Sequence, residues 1–347
     1  MKILVEVTHP AHVHFFRNAI TVFEQRGHTV EVTTRNTGII VDLLKEFRIP
    51  FTELNTPGTA RSLAFQRLLK RDYLLWKFCK EYKPDVLTGI GGVYAAHVGK
   101  LIGKPSVIWD DTEHYAISHK LTWPFASVIQ SPDCYLNPPV KKQRFYPGCH
   151  ELAYLHPDRF VPDIDKVRQF GIDPSKKYCV VRFSSFQAQH DIGQHGFSNK
   201  DKVRLVHELA KHARPYITSE GPLLDELKRY QIKIPIHQIH HVMAFACLCV
   251  TEGATMASES ALLGVPTVYV NTLKLGYINM LEGYGLIKQS TNIEQILQYS
   301  LDFLTEADAL EKYKTIKQNL LKDKIDVTQY IVDTVEHAVK SNASLAV

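Results

Sequence analysis

The sequence predicts an α/β protein of two doubly wound halves, each a parallel sheet with helices on both faces. Three observations carry this expectation. Short strand-like apolar runs alternate with longer helical patterns, and such alternation builds parallel sheets. The alternation breaks once, between Asn137 and Pro174, where "NPPVKKQRFYPGCHELAYLHPDRFVPD" carries prolines at 138, 139, 147, 157 and 162 and no clear period. At 347 residues the chain is also too long for one ordinary core. The expected boundaries are 1–160 for the first domain, 161–325 for the second, and 326–347 for a terminal helix packing back on the first.

Taken in order, Ile3 to Val7 reads as a strand, followed by a helix ending near Gly27 and a strand over Thr29 to Thr34. A basic, apolar helix spans Arg61 to Tyr82. Val86 to Ile90 is a strand, the stretch around Ala95 to Ile102 a helix, and Pro105 to Trp109 a strand. The proline-rich segment reads as the interdomain crossing. After it come the strand "YCVVRF", a helix over Lys202 to His212, the strand "PYITS" and a helix over Leu223 to Tyr230. "CLCVTEG", a helix opening on small residues and "PTVYV" follow, and Asp326 to Lys340 is helical. Two such halves joined once imply a central cleft. Ligands of doubly wound sheets bind beyond the carboxyl ends of the strands, so residues just after strands are the candidates.

Composition narrows the function. The chain is 45% hydrophobic and 22% charged without a low-complexity block, which describes a soluble globular protein. A net charge of +5 admits anionic substrates but falls short of a nucleic-acid-binding surface, so no nucleic-acid partner is expected. No apolar run reaches the roughly 18 residues of a spanning helix. "MKILVEVTH" reads as a strand rather than a leader because Glu6 interrupts it, and the expected location is the cytoplasm. The six cysteines offer no CxxC pair and read as reduced and buried, without a zinc or disulfide framework. His237 and His241 are four apart, but no HExxH glutamate lies between them. They read as a polar helix face beside a loop.

The most informative stretch is "VTEGATMASESALLGVPTVYV", residues 250–270. A helix beginning at Ala254 or Thr255 leaves its first N–H groups unpaired and carries partial positive charge there. Phosphate suits that position, and small residues permit close approach. Glu259, about one turn along, is placed to accept both hydroxyls of an attached ribose. The plain alternative is a turn glycine and a solvated carboxylate. "GIGG" at 89–92 is not GxGxxG, so hydride chemistry on a dinucleotide is not expected.

"EGATMASESALLGVPTVYV" resembles the donor-binding segment of GT-B glycosyltransferases, in particular the N-acetylglucosaminyltransferase of peptidoglycan lipid-intermediate synthesis, whose segment has the form SGAxxxxE. The likeness extends to "HVHFFRNAITVFEQRG", with His12 at the place of that family's loop histidine, and to "GIGGVYAAHVGKLIGKPSVIWDDTEHYAISHKL". The chain also resembles UDP-GlcNAc 2-epimerases. The resemblance implies a GT-B fold and a nucleoside-diphosphate-sugar donor, with Gly253, Ala254 and Thr255 at the diphosphate and Glu259 at the ribose. It departs in three places. "THPA" replaces a glycine-rich turn, "RFSSFQAQHDIGQHG" replaces a glycine-rich loop, and "NTLKLGYIN" replaces the sugar-reading segment, where Asn279 keeps one polar contact.

Each remaining candidate has a functional and a plain reading. His12 is the candidate general base, because an imidazole near pKa 6.5 suits proton removal from an acceptor hydroxyl, with His9 or His14 as rivals and helix capping as the alternative. Asp111 and Glu113, with His114 beside them, follow the strand "SVIW" and could orient acceptor hydroxyls, act as acid and base, or simply cap a helix. Arg182, Ser184 and Ser185 end the strand "YCVVRF" and suit phosphate. His190, Asp191, Ser219 and Glu220 are further cleft candidates. The helix over 61–82 reads as a peripheral contact with the inner membrane face or as a core-packed helix with a solvated basic side. The function expected is metal-independent transfer of a sugar, UDP-linked, to a glycan or lipid-linked acceptor in surface polysaccharide synthesis, with no cofactor. The alternatives are a nucleotide-sugar 2-epimerase and a non-catalytic sugar-nucleotide-binding protein.

Overall fold

The structure, a computed structural model, describes residues 1–35, 38–54, 64–184 and 196–344, side chains at 64, 65 and 342–344 excepted. It contains two compact units: Met1–Tyr154 with the segment from Ile325, and Leu155–Lys324.

The first unit begins β1 (Lys2–Val7), α1 (Pro10–Gln25), β2 (Thr29–Thr34), α2 (Gly38–Glu46), β3 (Phe51–Glu53) and α3 (Ala64–Tyr82). It continues β4 (Val86–Ile90), α4 (Val93–Ile102), β5 (Ser106–Trp109), α5 (Ala116–Thr122), β6 (Val128–Pro132), β7 (Gln143–Tyr146) and α6 (Leu152–Leu155). Its strands form one sheet in the order β3-β2-β1-β4-β5-β6-β7, all parallel. Ile3, Leu4 and Val5 are fully buried, as a central parallel strand covered on both faces requires. On α1, Val13, Phe16, Ile20 and Phe23 make the buried stripe at helical spacing. Gly27, at φ 77°, turns the chain from α1 into β2.

In the second unit α7 (Ile164–Gln169), β8 (Tyr178–Phe183), α8 (Asn199–Leu209), β9 (Arg214–Ser219), α9 (Ile239–Ala244) and β10 (Leu248–Thr251) come first. Then follow α10 (Ala254–Leu262), β11 (Thr267–Tyr269), α11 (Gly276–Gly283), β12 (Ile287–Gln289), α12 (Ile293–Thr305) and α13 (Ala309–Asp323). This sheet has the order β12-β11-β10-β8-β9, again parallel. The chain then returns to the first unit as α14 (Val327–Ser344).

Three elements differ from expectation. Gln143–Tyr146, inside the proline-rich stretch, is a seventh strand of the first sheet, pairing Ile129 with Gln143 through Pro132 with Tyr146. As an edge strand it exposes Arg144 and Phe145, so it lacks the apolar run of a buried strand. The first unit ends at Tyr154 rather than 160, because Ala153 is held there: its carbonyl accepts from Asn18 Nδ2 at 2.9 Å and from the Thr328 hydroxyl. Asp225–Tyr230 is a 3-10 turn, not an α-helix, and buries Leu227 and Tyr230, which eclipse at that geometry.

The helix expected over 61–82 is described as α3 from Ala64. Its inner side buries Arg71, Leu75 and Cys79, while Leu69 and Tyr73 are exposed on the other. Arg71 therefore does not belong to the basic surface. It donates to the Thr34 carbonyl at 3.2 Å and to that of Leu54, and lies 3.6 Å from the buried Glu6 carboxylate. Among the described residues no helix is long and apolar enough to cross a membrane.

On α14, Ile331, Val332 and Val335 are fully buried, and the Tyr330 hydroxyl donates to Gln130 Oε1 at 2.8 Å. At the seam a Cβ on Gly148 would stand 2.9 Å from Val327 Cγ2 and 3.3 Å from the Tyr146 ring. Gly148→Ala is expected to destabilise the protein by about 1–3 kcal/mol, the usual overpacking cost. Val327→Ala should recover most of that loss in a double-mutant cycle, measured by urea denaturation. Additive losses would mean the two positions do not press on each other.

Candidate active site

In the first sheet the winding reverses beside β1 and β4, and the segments leaving the strand ends hold the candidate residues. His9 is the N-cap of α1: its Nδ1 accepts from the Ala11 N–H at 3.2 Å, and its ring is exposed. His12 lies on the first turn. Its Nδ1 accepts from the Thr8 N–H at 3.3 Å, so the neutral ring carries its proton on Nε2. Burial, with His9 and His150 close by, pushes its pKa down to about 3, against the opposing pull of Asp111. A ring so weakly basic is neutral at ordinary pH and presents an N–H. That fits a hydrogen-bond donor better than the base expected of it. His14 is buried against Phe47 and Tyr154.

Beyond β5, the adjacent aspartates have different tasks. Asp110 is a brace: its carboxylate lies 2.8 Å from His119 Nε2 and accepts from the Trp123 indole N–H at 3.2 Å and the Thr112 N–H at 3.0 Å. Asp111 pairs with His150, Nδ1 to Oδ2 at 2.9 Å, and its Oδ1 accepts from the Thr112 hydroxyl at 3.0 Å. Burial alone would raise the Asp111 pKa, but His150 and the Thr112 hydroxyl outweigh it and the carboxyl is lowered. Burial alone would lower that of His150, but the charge and hydrogen bond of Asp111, with Glu151 and Asp110, raise it. Each partner therefore favours the charged form of the other. Glu113 is turned to the neighbouring loop, accepting from the Leu136 N–H at 3.3 Å while its carbonyl accepts from Asn137. His114 is exposed.

Sequence reasoning missed His150. It follows the edge strand β7, whose polar, aromatic sequence carried no strand signal. It stands 39 positions from Asp111.

In the second sheet the winding reverses between β8 and β10, which places Ser184 beside Glu252 and Gly253. Glu252 is buried. Its carboxylate accepts from the N–H groups of Ser184 at 2.8 Å and Phe197 at 2.7 Å, holding both flanks of the segment between β8 and α8. Burial raises its pKa against those two bonds and Lys202. Arg182 pairs with Glu220 at 2.9 Å, and the Glu220 N–H donates to the Phe183 carbonyl beside Ser219. Ser185, His190 and Asp191 lie outside the described residues.

α10 starts at Ala254, and its N-cap residue, Gly253, has no side chain to cap the first turn. Thr255 is exposed. A methyl on Gly253 would meet only ordinary contacts, 3.6 Å from Ser184 Oγ and 3.7 Å from Thr251 Oγ1, so local packing does not demand glycine. Glu259 is buried one turn along, with Oε1 2.9 Å from His240 Nε2 on α9. His241, expected with His237 on a polar helix face, is instead turned inward. His240 and His241 are both buried, and His241 Nδ1 accepts from the Asp163 N–H at 3.0 Å. Asn279 is exposed on α11, whereas the buried Asn271 organises the preceding loop, donating to the Glu252 carbonyl at 3.1 Å and accepting from the Leu273 N–H at 3.0 Å. No cluster of three or more His, Cys, Asp or Glu residues able to hold a metal occurs among the described residues.

Residues 1–145 match a family described as "Protein of unknown function (DUF354)". The chain is 23% identical over 259 residues to the UDP-N-acetylglucosamine–N-acetylmuramyl-(pentapeptide) pyrophosphoryl-undecaprenol N-acetylglucosamine transferase of Bacillus pumilus, covering 67% of each. It is also 23% identical over 324 residues to an uncharacterised protein of Methanocaldococcus jannaschii, covering 88% of this chain and 92% of the relative. Among solved structures, the UDP-GlcNAc 2-epimerase of Neisseria meningitidis bound to UDP-GlcNAc superposes with a TM-score of 0.72 at 13% identity, over 96% of this chain and 99% of that one. MurG of Acinetobacter baumannii superposes with a TM-score of 0.62 at 17% identity, over 97% and 99%. These neighbours are a sugar transferase and an epimerase, and with the two parallel sheets they establish that the chain has the GT-B fold.

Proposed function

We propose that this protein transfers a sugar from a UDP-linked donor to a glycan or lipid-linked acceptor in surface polysaccharide synthesis. One observation carries the reading: the first turn of α10 follows Gly253, an N-cap without a side chain, at the reversal point of the second sheet, with Glu259 one turn further. The diphosphate docks on the N–H groups of Ala254 and Thr255, where the helix dipole favours negative charge. Gly253, which packing does not require, leaves the approach open. Glu259, oriented by His240, takes the ribose hydroxyls, and Asn279 contributes at the sugar. Arg182 and Ser184 assist the departing diphosphate, as preorganised donors do when charge develops on a leaving group. His12 and Asp111 act on the acceptor. The name of the Bacillus pumilus relative and the UDP-GlcNAc held by the Neisseria protein support this donor class.

A thermal-shift series across nucleotides and their sugars tests it. UDP at 100 times its Kd should stabilise the protein by roughly 2.7 kcal/mol. Glu259→Ala should abolish the preference for UDP over 2′-deoxy-UDP. Equal preference in wild type and variant would sink the ribose assignment. Donor consumption only when acceptor is present supports transfer. An acceptor in anionic vesicles should serve best if the basic outer side of α3 meets a membrane. Epimerised sugar from donor alone supports the second reading, which the superposition on the Neisseria epimerase favours.

A further inference from the structure

The sequence singled out Asp111 but not the histidine that stands against it, His150. We propose that Asp111 and His150 form the proton-exchanging dyad of the reaction, with His150 Nε2 accepting the proton of the acceptor hydroxyl. The proposal rests on the transfer reading above and names the base for it.

The geometry is that of an oriented imidazole. Asp111 Oδ2 sits 2.9 Å from His150 Nδ1, and Asp111 is itself held at its second oxygen by the Thr112 hydroxyl. A carboxylate accepting from Nδ1–H fixes the ring and its tautomer, leaving Nε2 as the atom that gains or loses a proton. Nε2 is buried and has no hydrogen-bond partner among the described residues. An imidazole nitrogen kept dry and unpaired is costly unless something polar is bound there. The ring is clamped by Phe15, 4.5 Å between centroids, one helical turn from His12 on α1. The backbone is clamped too: the Ala153 N–H donates to the His150 carbonyl at 3.0 Å.

His12 cannot fill the same role. Its Nδ1 is occupied by the Thr8 N–H and its pKa of about 3 leaves it unable to hold a second proton near neutrality. His150 is the more basic imidazole because Asp111 and Asp110 face it from the end of β5 and Glu151 lies beside it. From α1 the titratable ring of His12 also lies close to it.

In the step, the acceptor O–H bond breaks and its proton passes to Nε2. His150 becomes imidazolium beside the Asp111 carboxylate. The acceptor oxygen bonds the anomeric carbon as the bond from that carbon to the diphosphate oxygen breaks, and the diphosphate leaves with that electron pair. His12 donates Nε2–H to the acceptor oxygen and keeps its proton throughout.

The pH profile separates the two histidines. A His150 base places the acid limb of kcat/KM above pH 6.5, the ring's ordinary value, whereas a His12 base places it near 3. His150→Gln should lower kcat by roughly 10²–10⁴-fold and remove the limb. Asp111→Asn should move the limb down, and His12→Gln should leave it in place while lowering the rate. Independently of turnover, the His150 C2–H resonance, assigned by its loss in His150→Gln, should titrate above 6.5 in the free protein and lower in Asp111→Asn. A limb near 3, or a His150 resonance titrating at or below 6.5, overturns the dyad. If no nucleotide sugar is consumed with or without acceptor, the transfer reading falls, and the NMR titration by itself upholds or overturns the basic His150.

Discussion

Arg71→Met is expected to destabilise the protein by about 3–5 kcal/mol, the cost of leaving a buried charge without its partner. Arg71 and Glu6 are both essentially inaccessible, and Glu6 Oε2 also accepts the Ala95 N–H in the first turn of α4 at 3.3 Å. Burial already raises the Glu6 pKa above 4.5, against the pull of Arg71 and the Ala95 N–H. Without the guanidinium the carboxyl rises further. A group raised on folding contributes its stability below the unfolded pKa and loses it as pH climbs through the folded value. The deficit of Arg71→Met should therefore be larger at pH 8 than at pH 5.5. Urea denaturation at the two pH values measures it. A deficit below about 1 kcal/mol, in the range of an exposed ion pair, would mean the pair is no structural keystone.

The second large effect belongs to Glu252. Glu252→Ala removes two hydrogen bonds to a carboxylate and leaves the Ser184 and Phe197 N–H groups without their acceptor, at an expected total of about 2–4 kcal/mol. Glu252→Gln should do almost as badly, because its amide offers one acceptor and turns an NH2 toward the other N–H. Binding should suffer in both variants, since Ser184 and Gly253 are neighbours at the proposed phosphate site. Guanidinium denaturation and UDP titration together provide the check. Recovery of wild-type stability by Glu252→Gln would refute the two-donor clamp.

Much of the fold could be read locally. The alternation of periods placed β1, β2, β4, β5, β8, β10 and β11 close to where they occur, because a central parallel strand needs a short apolar run whatever its neighbours, and the edge strand β9 was legible as well. β7 escaped because an edge strand is only half covered, and its Arg144 and Phe145 look like loop residues. The 3-10 turn at Asp225–Tyr230 escaped because Leu227 and Tyr230 satisfy helical spacing as well as eclipsed spacing.

The site divides the same way. The start of α10 at Ala254 and the strand-end position of Asp111 follow from patterns a few residues long: a strand, a small residue, a helix. The partners do not. Asp111 with His150, Glu259 with His240, Glu6 with Arg71 and Glu252 with Ser184 are 39, 19, 65 and 68 positions apart in the chain. The sequence by itself determined two parallel sheets, their reversal points' supply of small residues and carboxylates, and the start of α10 after a glycine. The tertiary structure alone decided which imidazole has its pKa raised and which has it lowered, because basicity depends on the charges and the dryness around a ring. Those are set by whichever distant loops the strand order brings together.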